Sequence, residues 1–459
     1  MKSSAFLLAL LPAFTTVAAP KITDQSVVKT SDVSSSRLKL EYTLQGEPAV
    51  VTVDFLTNGV SIGEVNFANV DGDVNRLVRP GSHTITWKPR KSWPDHKIDN
   101  AAMTAKVTAW PTNCPPDYAV INLENEADPM RYYVSTNALP NGGLTNRALY
   151  ARTRIVLRKI PAGGASFLMG DSSTTSFSNY DTPKRAAQCV HRVEFSEDFY
   201  FSIYQTTYAQ FRSLRKHTDP KDPSSVTGIG PYDPPCERPY TGHSLWALRG
   251  NNTNWPQTGH TVGDYAGLTA LGGKSVFKYW REVTGLQLDL PTEAQWEFAC
   301  RAGTWNKMSY PDGLSAAQQL EYGWMGYLGT SVSYDVEGKQ YWKGTHIVGS
   351  CKPNPWGLYD MHGNAWDGCL DWYACVNGWY ELDYHDPVLD PVGPPDSTHV
   401  NKYDYTGGEV YVGRVHRGGG SSNGAGDCAP YRRHFTGKTD DSTATVDAVR
   451  LVAPACAVR

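Results

Sequence analysis

A chain of 459 residues is too long for one ordinary domain and long enough for two or three units that each bury a core. Its 43 lysines and arginines against 46 aspartates and glutamates leave a formal net charge of -3. That near balance argues against a broadly basic surface for nucleic acid and against an extended polyanionic one.

The N-terminus has one lysine, Lys2, an apolar run from Ala5 to Phe14, and small residues at Val17-Ala18-Ala19. This pattern predicts a secretory signal over residues 1–19 with cleavage after Ala19. The apolar run is short and broken by Pro12, which disfavours a transmembrane anchor, and no later stretch is long and apolar enough for a transmembrane segment. The expectation is a soluble, exported protein, secreted into a periplasmic or extracellular space. There the nine cysteines are free to pair, and their odd number leaves at least one unpaired in a monomer. No CxxC or regular Cys/His spacing suggests structural zinc.

Residues 20–110 read as strands. Leu38, Leu40, Tyr42 and Leu44 alternate with polar neighbours, as do Val51, Val53 and Phe55, which run into the turn-like Thr57-Asn58-Gly59. His83 to Trp87 and Met103 to Val107 keep the period of two. Short alternating strands at this spacing predict an immunoglobulin-like β-sandwich, read as a spacer or binding module without chemistry. Residues 111–152 turn to Pro, Asn and Gly and read as a linker with one or two short strands. A second unit, 153–459, is rich in Trp, Tyr and Gly with few long periodic segments, and is expected to be compact and heavily looped.

Within it, Thr292 suits a helix N-cap, Gln295 completes a capping box, and Glu293 suits the positive end of the helix dipole. The spacing predicts a short helix whose Trp296, Ala299 and Cys300 face the core. Further on, Asp360 and Asp367 bracket a loop. With the Gly363 and Ala365 carbonyls turned inward, that loop offers the several hard oxygens that Ca²⁺ takes; two aspartates in a tight loop also cap turns. His362 between them reads as a packed or exposed side chain. Near the C-terminus, RGGGSSNGAGDCAPYR places a single cysteine, Cys428, after a glycine-rich entry. It is either a metal ligand and redox centre or a buried or disulfide-bonded structural residue.

Taken in order, IPAGGASFLMG from Ile160, LPTEAQWEFACRAGT from Leu290, NPWGLYDMHGNAWDG from Asn354 and RVHRGGG from Arg414 resemble the formylglycine-generating enzyme family, also called the sulfatase-modifying factor family. The likeness covers roughly residues 153 to 453. It implies an irregular α+β domain related to C-type lectins. It also implies Ca²⁺ held by Asp360, Gly363, Ala365 and Asp367. Members of the family convert a sulfatase cysteine to formylglycine with O₂ and Cu⁺ held by two thiolates, a ligand type suited to that soft ion. Here the downstream cysteine is Cys428, the upstream position is Asn423, and a serine of the family motif is replaced by Gly420. The amide does not replace a thiolate for Cu⁺, so half of the copper site is present. His346, His362, His416 and His434 form no facial triad for nonhaem iron, and no GxSxG elbow supports hydrolysis. Three readings follow. One is a calcium-stabilised binding or modified-function module for a peptide or glycan. Another is a copper oxidase acting on a sulfatase, with a different cysteine completing the site. The third is a structural, adhesin-like surface protein.

Overall fold

The computed structural model describes residues 18–29, 37–67, 70–94, 96, 102–171, 188–215, 276–326, 334–336, 339–341, 345–372, 387–393, 414–435 and 447–457. The predicted signal segment lies outside them except for Ala18 and Ala19. The chain divides into two compact units, Met1–Thr112 and Asn113–Arg459.

The first unit contains strands β1 (Lys21–Lys29), β2 (Leu38–Gln45), β3 (Ala49–Thr57), β4 (Val60–Ser61), β5 (Val70–Gly72), β6 (Arg76–Val78), β7 (Gly81–Trp87) and β8 (Met103–Pro111). One antiparallel sheet runs β1-β2-β7-β5. In the other, β8 pairs with β3 from Ala49 opposite Pro111 to Thr57 opposite Met103, while β6 and β4 take the two ends of the other edge of β3. The alternation of β2 sets which face is buried: Leu38, Leu40, Tyr42 and Leu44 point inward. They meet Val51 and Phe55 of β3, Ile85 and Trp87 of β7, and Val107 of β8 in one core. Phe55 stacks on Trp87 with ring centroids 4.5 Å apart, a pairing that adds to the area each ring buries. The β3–β4 hairpin closes through Asn58 (φ 50°) and Gly59 (φ 79°), the left-handed pair that matches the twist of a two-residue hairpin.

The second unit is mixed and sheet-rich, with few helices. Its first strands are β9 (Tyr118–Asn122), β10 (Met130–Tyr133), β11 (Arg154–Ile160), β12 (Ser166–Asp171), β13 (Gln188–Glu194) and β14 (Phe199–Ser202). A short hairpin, β15 (Tyr334–Val336) and β16 (Lys339–Tyr341), precedes β17 (Trp366–Trp372), β18 (Val388–Leu389), β19 (Arg414–Arg417), β20 (His434–Phe435), β21 (Asp447–Ala448) and β22 (Val452–Pro454). The main sheet runs β10-β9-β11-β14-β22, so the C-terminal strand closes beside β14. Its strands β9 and β10 come from the segment 111–152, whose Pro, Asn and Gly residues sit largely in turns and 3₁₀ helices between strands. From Asn113 onward that segment is part of the second unit. A second sheet, β20-β19-β17-β21, carries the functional motifs.

The helix Glu293–Arg301 forms as its sequence dictates. Thr292 Oγ1 accepts from the Gln295 amide at 3.2 Å, and Gln295 Oε1 accepts from the Thr292 amide at 3.0 Å. Trp296, Ala299 and Cys300 are buried in the core with Phe167, Phe195 and Phe199. Ala302 takes a left-handed conformation (φ 49°) and ends the helix.

Candidate functional site

The site forms where β17, β19 and the helix Glu293–Arg301 meet. Strand β19 ends at Arg417, and the chain then turns through Gly418 (φ 87°) and Gly419 (φ 74°). Both positions exclude a side chain: a Cβ on Gly418 would lie 3.0 Å from the Trp296 ring, and one on Gly419 would lie 2.4 Å from Cys428 Sγ. The glycine run thus lets the backbone fold directly onto the cysteine.

Asn423 closes the turn. Its Oδ1 accepts from the Gly420 amide at 2.9 Å, and its Nδ2 donates to Asp427 Oδ2 at 3.4 Å. Cys428 Sγ is 4.0 Å from the Asn423 carbonyl oxygen, and the residue is 0 % exposed. Burial pushes its thiol well above the ordinary cysteine range, with Asp427 and then Cys300 adding to the effect. Met308, Tyr310, Met325 and Tyr431 pack around it. All six described cysteines whose state is recorded, Cys114, Cys300, Cys351, Cys369, Cys428 and Cys456, are free thiols.

His362 joins this loop to the acidic one. Its Nδ1 lies 2.8 Å from the Cys428 carbonyl oxygen, which can only accept, so Nδ1 carries the hydrogen. Its Nε2 accepts from Ser309 Oγ at 2.6 Å. Burial lowers its pKa to about 4 and keeps the ring neutral.

The acidic loop is as buried as the cysteine. Asp367 Oδ2 accepts from Arg450 Nε at 2.7 Å and from Trp296 Nε1 at 2.9 Å, while its Oδ1 accepts from Gln205 Nε2 at 3.0 Å. Gln205 Nε2 also donates to the Ala365 carbonyl at 2.7 Å. Asp360, held at φ 54°, accepts from the Gly349 amide at 2.6 Å, and burial pushes its carboxyl up to about 6. Gly363 (φ 95°) is pressed against the Trp324 carbonyl, where a Cβ would lie 2.4 Å away.

One orphaned atom bears on whether these groups suit a cation. Gln205 Oε1 is buried without a partner among the described residues. The Gln205 amide nitrogen meets the Ala365 carbonyl and Asp367 Oδ1, two hard oxygens of the same buried segment. Such donors suit Ca²⁺. The Cys428 loop does not suit Cu⁺ in the same way, since its second position is an amide already used to hold the turn.

A third cluster lies behind the glycine run. Arg417 donates to Glu293 Oε1 at 2.8 Å and to Glu297 Oε2 at 2.9 Å, with all three residues buried. Arg433 adds a second guanidinium to Glu293, and Arg301 one to Glu297. Burial alone would raise the Glu293 carboxyl, but Arg433 and Arg417 outweigh it and hold it below the usual carboxylate range. Sequence reading assigned Glu293 only to the helix dipole, and gave no role to Arg417, Arg450, Gln205 or Ser309.

The structure thus brings Cys428 and Asn423 together, places Asp360, Gly363, Ala365 and Asp367 in one buried loop, and ties the two through His362. Comparison with known proteins gives a matching picture. The model of the sulfatase-modifying factor enzyme 1-like domain matches residues 155–453. The formylglycine-generating enzyme of Thermomonospora curvata is 34% identical over 109 residues, 24% of this chain and 35% of that enzyme. The enzyme of Bos taurus is 33% identical over 109 residues, 23% of this chain and 26% of its own length. The aligned stretch therefore spans about a third or less of these relatives. Among solved structures, Treponema denticola variable protein 1 is similar, with TM-score 0.42 and 19% identity over 66% of this chain and 96% of its own.

Proposed function

The chain belongs to the family of sulfatase-modifying factor enzyme 1-like domains, and from that membership we propose that it keeps the scaffold as an exported, calcium-stabilised binding or modified-function module. On this reading it does not act as a copper-dependent oxidase. The observation that carries the reading is the pairing of Cys428 with Asn423. A two-coordinate soft ion needs two thiolates, whereas here one thiol is buried and protonated and the partner is an amide engaged with the Gly420 backbone.

Calcium would be held by Asp360, Gly363, Ala365 and Asp367, and it would stabilise the loop without taking part in chemistry. The first unit serves as an immunoglobulin-like spacer. The leader sequence supports export, and among the described residues no helix is long and apolar enough to cross a membrane.

One observation favours a second reading, that of an active oxidase acting on a sulfatase: the Cys300 thiol lies near enough to Cys428 to influence its ionisation. The two readings separate in one experiment. Purified protein is loaded with Cu⁺, incubated in air with a cysteine-containing sulfatase peptide, and the peptide is weighed by mass spectrometry. The module reading expects an unchanged peptide. Formation of the aldehyde would overturn it and would make Cys300 the first candidate for the missing ligand.

A further inference from the structure

A separate pocket of about 180 Å³ opens on the second unit where β9, β10 and β11 face the turns that follow β10. It shares no residue with the Cys428 or Asp367 clusters. Its polar wall carries Asn122, Asn125, Asn141 and Arg154, and its apolar floor includes Val120, Leu149 and the Tyr133 ring.

The charges in this wall cancel. Arg131 is gripped by both carboxylate oxygens of Asp128, and Arg154 Nη1 pairs with Glu124 Oε2 at 3.1 Å. With each guanidinium paired, little net charge is left to hold an anion and none to hold a cation. What remains are groups that both donate and accept. Among the described residues no bond is recorded for the side-chain amides of Asn125 and Asn141 or for the Tyr133 hydroxyl, while Asn122 uses only its oxygen, toward the Glu124 amide at 3.0 Å. A carboxylate or phosphate only accepts hydrogen bonds and would leave the amide oxygens unmatched. A hydroxyl does both.

Shape agrees with this chemistry. A cavity of about 150 Å³ holds one benzene, so this pocket admits one six-membered ring with its substituents. The Tyr150 hydroxyl donates to the Pro140 carbonyl at 2.9 Å and fixes the wall opposite β11. Burial raises the Tyr133 phenol to about 12, against the pull of Arg131 and Arg154, so it stays a donor at neutral pH. The aromatic and aliphatic floor suits the C–H face of a ring whose edge carries hydroxyls.

We propose that this pocket binds one neutral hexose ring, either free or as the terminal unit of a glycan. The inference goes beyond the assignment of the Cys428 site and stands whichever way the copper experiment falls.

Isothermal titration of the full protein with the methyl glycosides of glucose, galactose and mannose tests it. At least one neutral glycoside should bind, and its uronate and 6-phosphate counterparts should bind no tighter. Asn125→Ala, at an exposed position that the fold does not depend on, and Tyr133→Phe, which keeps the ring, should each weaken binding by about tenfold. A glycan ending in the preferred sugar should match the glycoside if the pocket reads a single terminal unit. Tighter binding of the free sugar would mark a free hexose as the ligand. Absence of binding by every neutral glycoside, unchanged affinity in both variants, or binding only by longer glycans would overturn the proposal.

Discussion

Arg450 Nε lies 2.7 Å from Asp367 Oδ2, and neither residue has any exposed surface. The pair closes the acidic loop onto the C-terminal segment, because Arg450 Nη2 also donates to the carbonyls of Tyr359 and Asp360. A buried pair of this kind contributes little against an apolar replacement, yet breaking one side leaves an unpaired charge in the core, at a cost of about 3–5 kcal/mol. Arg450→Met is therefore expected to lower the unfolding free energy by that amount, read as a lower urea midpoint at unchanged slope. Adding Asp367→Asn to it should recover part of the loss, since the second change removes the stranded charge. Losses that simply add would show that the two residues do not act as a pair.

Calcium is expected to raise the melting temperature, because a ligand that binds only the folded state adds about 2.7 kcal/mol at a hundredfold excess over its Kd. Asp367→Ala is a poor probe, as it also strands Arg450. Asp360→Asn is the better one: asparagine tolerates the left-handed backbone at this position and changes only the charge. The wild type should lose its calcium-dependent shift on adding a chelator, and the variant, which keeps an oxygen ligand but loses its charge, should show a smaller shift at the same Ca²⁺ concentration. Identical melting curves for wild type with Ca²⁺ and with chelator would remove calcium from the account.

His362 should make stability depend on pH. Its folded pKa of about 4 lies below the ordinary 6.5, so the unfolded chain takes up a proton first as pH falls. The stabilisation is complete above about pH 6.5 and is lost progressively between there and pH 4, roughly 3 kcal/mol over the window. His362→Asn keeps a donor for the Cys428 carbonyl but cannot titrate. Denaturation series at several pH values should therefore give a flatter profile for the variant.

Local signals in the sequence carried the local structure. Alternation at Leu38, Leu40, Tyr42 and Leu44 marked one buried face, and Thr292 with Gln295 marked a helix start, because both patterns act within a few residues. Strands β9 and β10 were harder to read, since their short apolar runs are interrupted by turn-forming residues. The cysteine and both aspartates of the site were legible from their motifs. Their partners were not: Arg450 is 83 positions from Asp367 and Gln205 is 162, distances at which no local pattern exists. The same holds for Ser309 and His362, which meet across 53 positions.

The first unit should fold alone when residues 20–112 are expressed, since its core draws on both of its own sheets. A cooperative thermal transition and a β-type circular dichroism spectrum are expected. Phe55→Ala, which removes the ring stacked on Trp87, should cost about 3–5 kcal/mol in that fragment. A fragment that shows no cooperative transition would move the boundary of the unit.

Restoring a second thiolate should restore copper affinity before it restores turnover. In Asn423→Cys the new sulfur would stand in the turn where the amide now meets the Gly420 backbone, in the same loop as Cys428. Two thiolates suit Cu⁺, so a competition titration should show tighter binding than wild type by at least about tenfold. Catalysis asks for more, because substrate and oxygen must also be positioned. Gly420→Ser supplies a hydroxyl at a position that takes a Cβ with a small adjustment of its neighbours. Its Cβ would lie 3.3 Å from Asn423 Oδ1 and 3.4 Å from the Trp366 ring, and the first of these contacts disappears in the double variant. The Gly419 position next to it offers no such freedom, since a Cβ there would strike Cys428 Sγ at 2.4 Å; Gly419→Ala is expected to destabilise the loop and serves as a control for nonspecific change. The expected order is therefore weak Cu⁺ binding in wild type, strong binding in Asn423→Cys, and aldehyde product, if any, in the double variant alone. Equal Cu⁺ affinity in wild type and Asn423→Cys would show that position 423 is not what limits the metal.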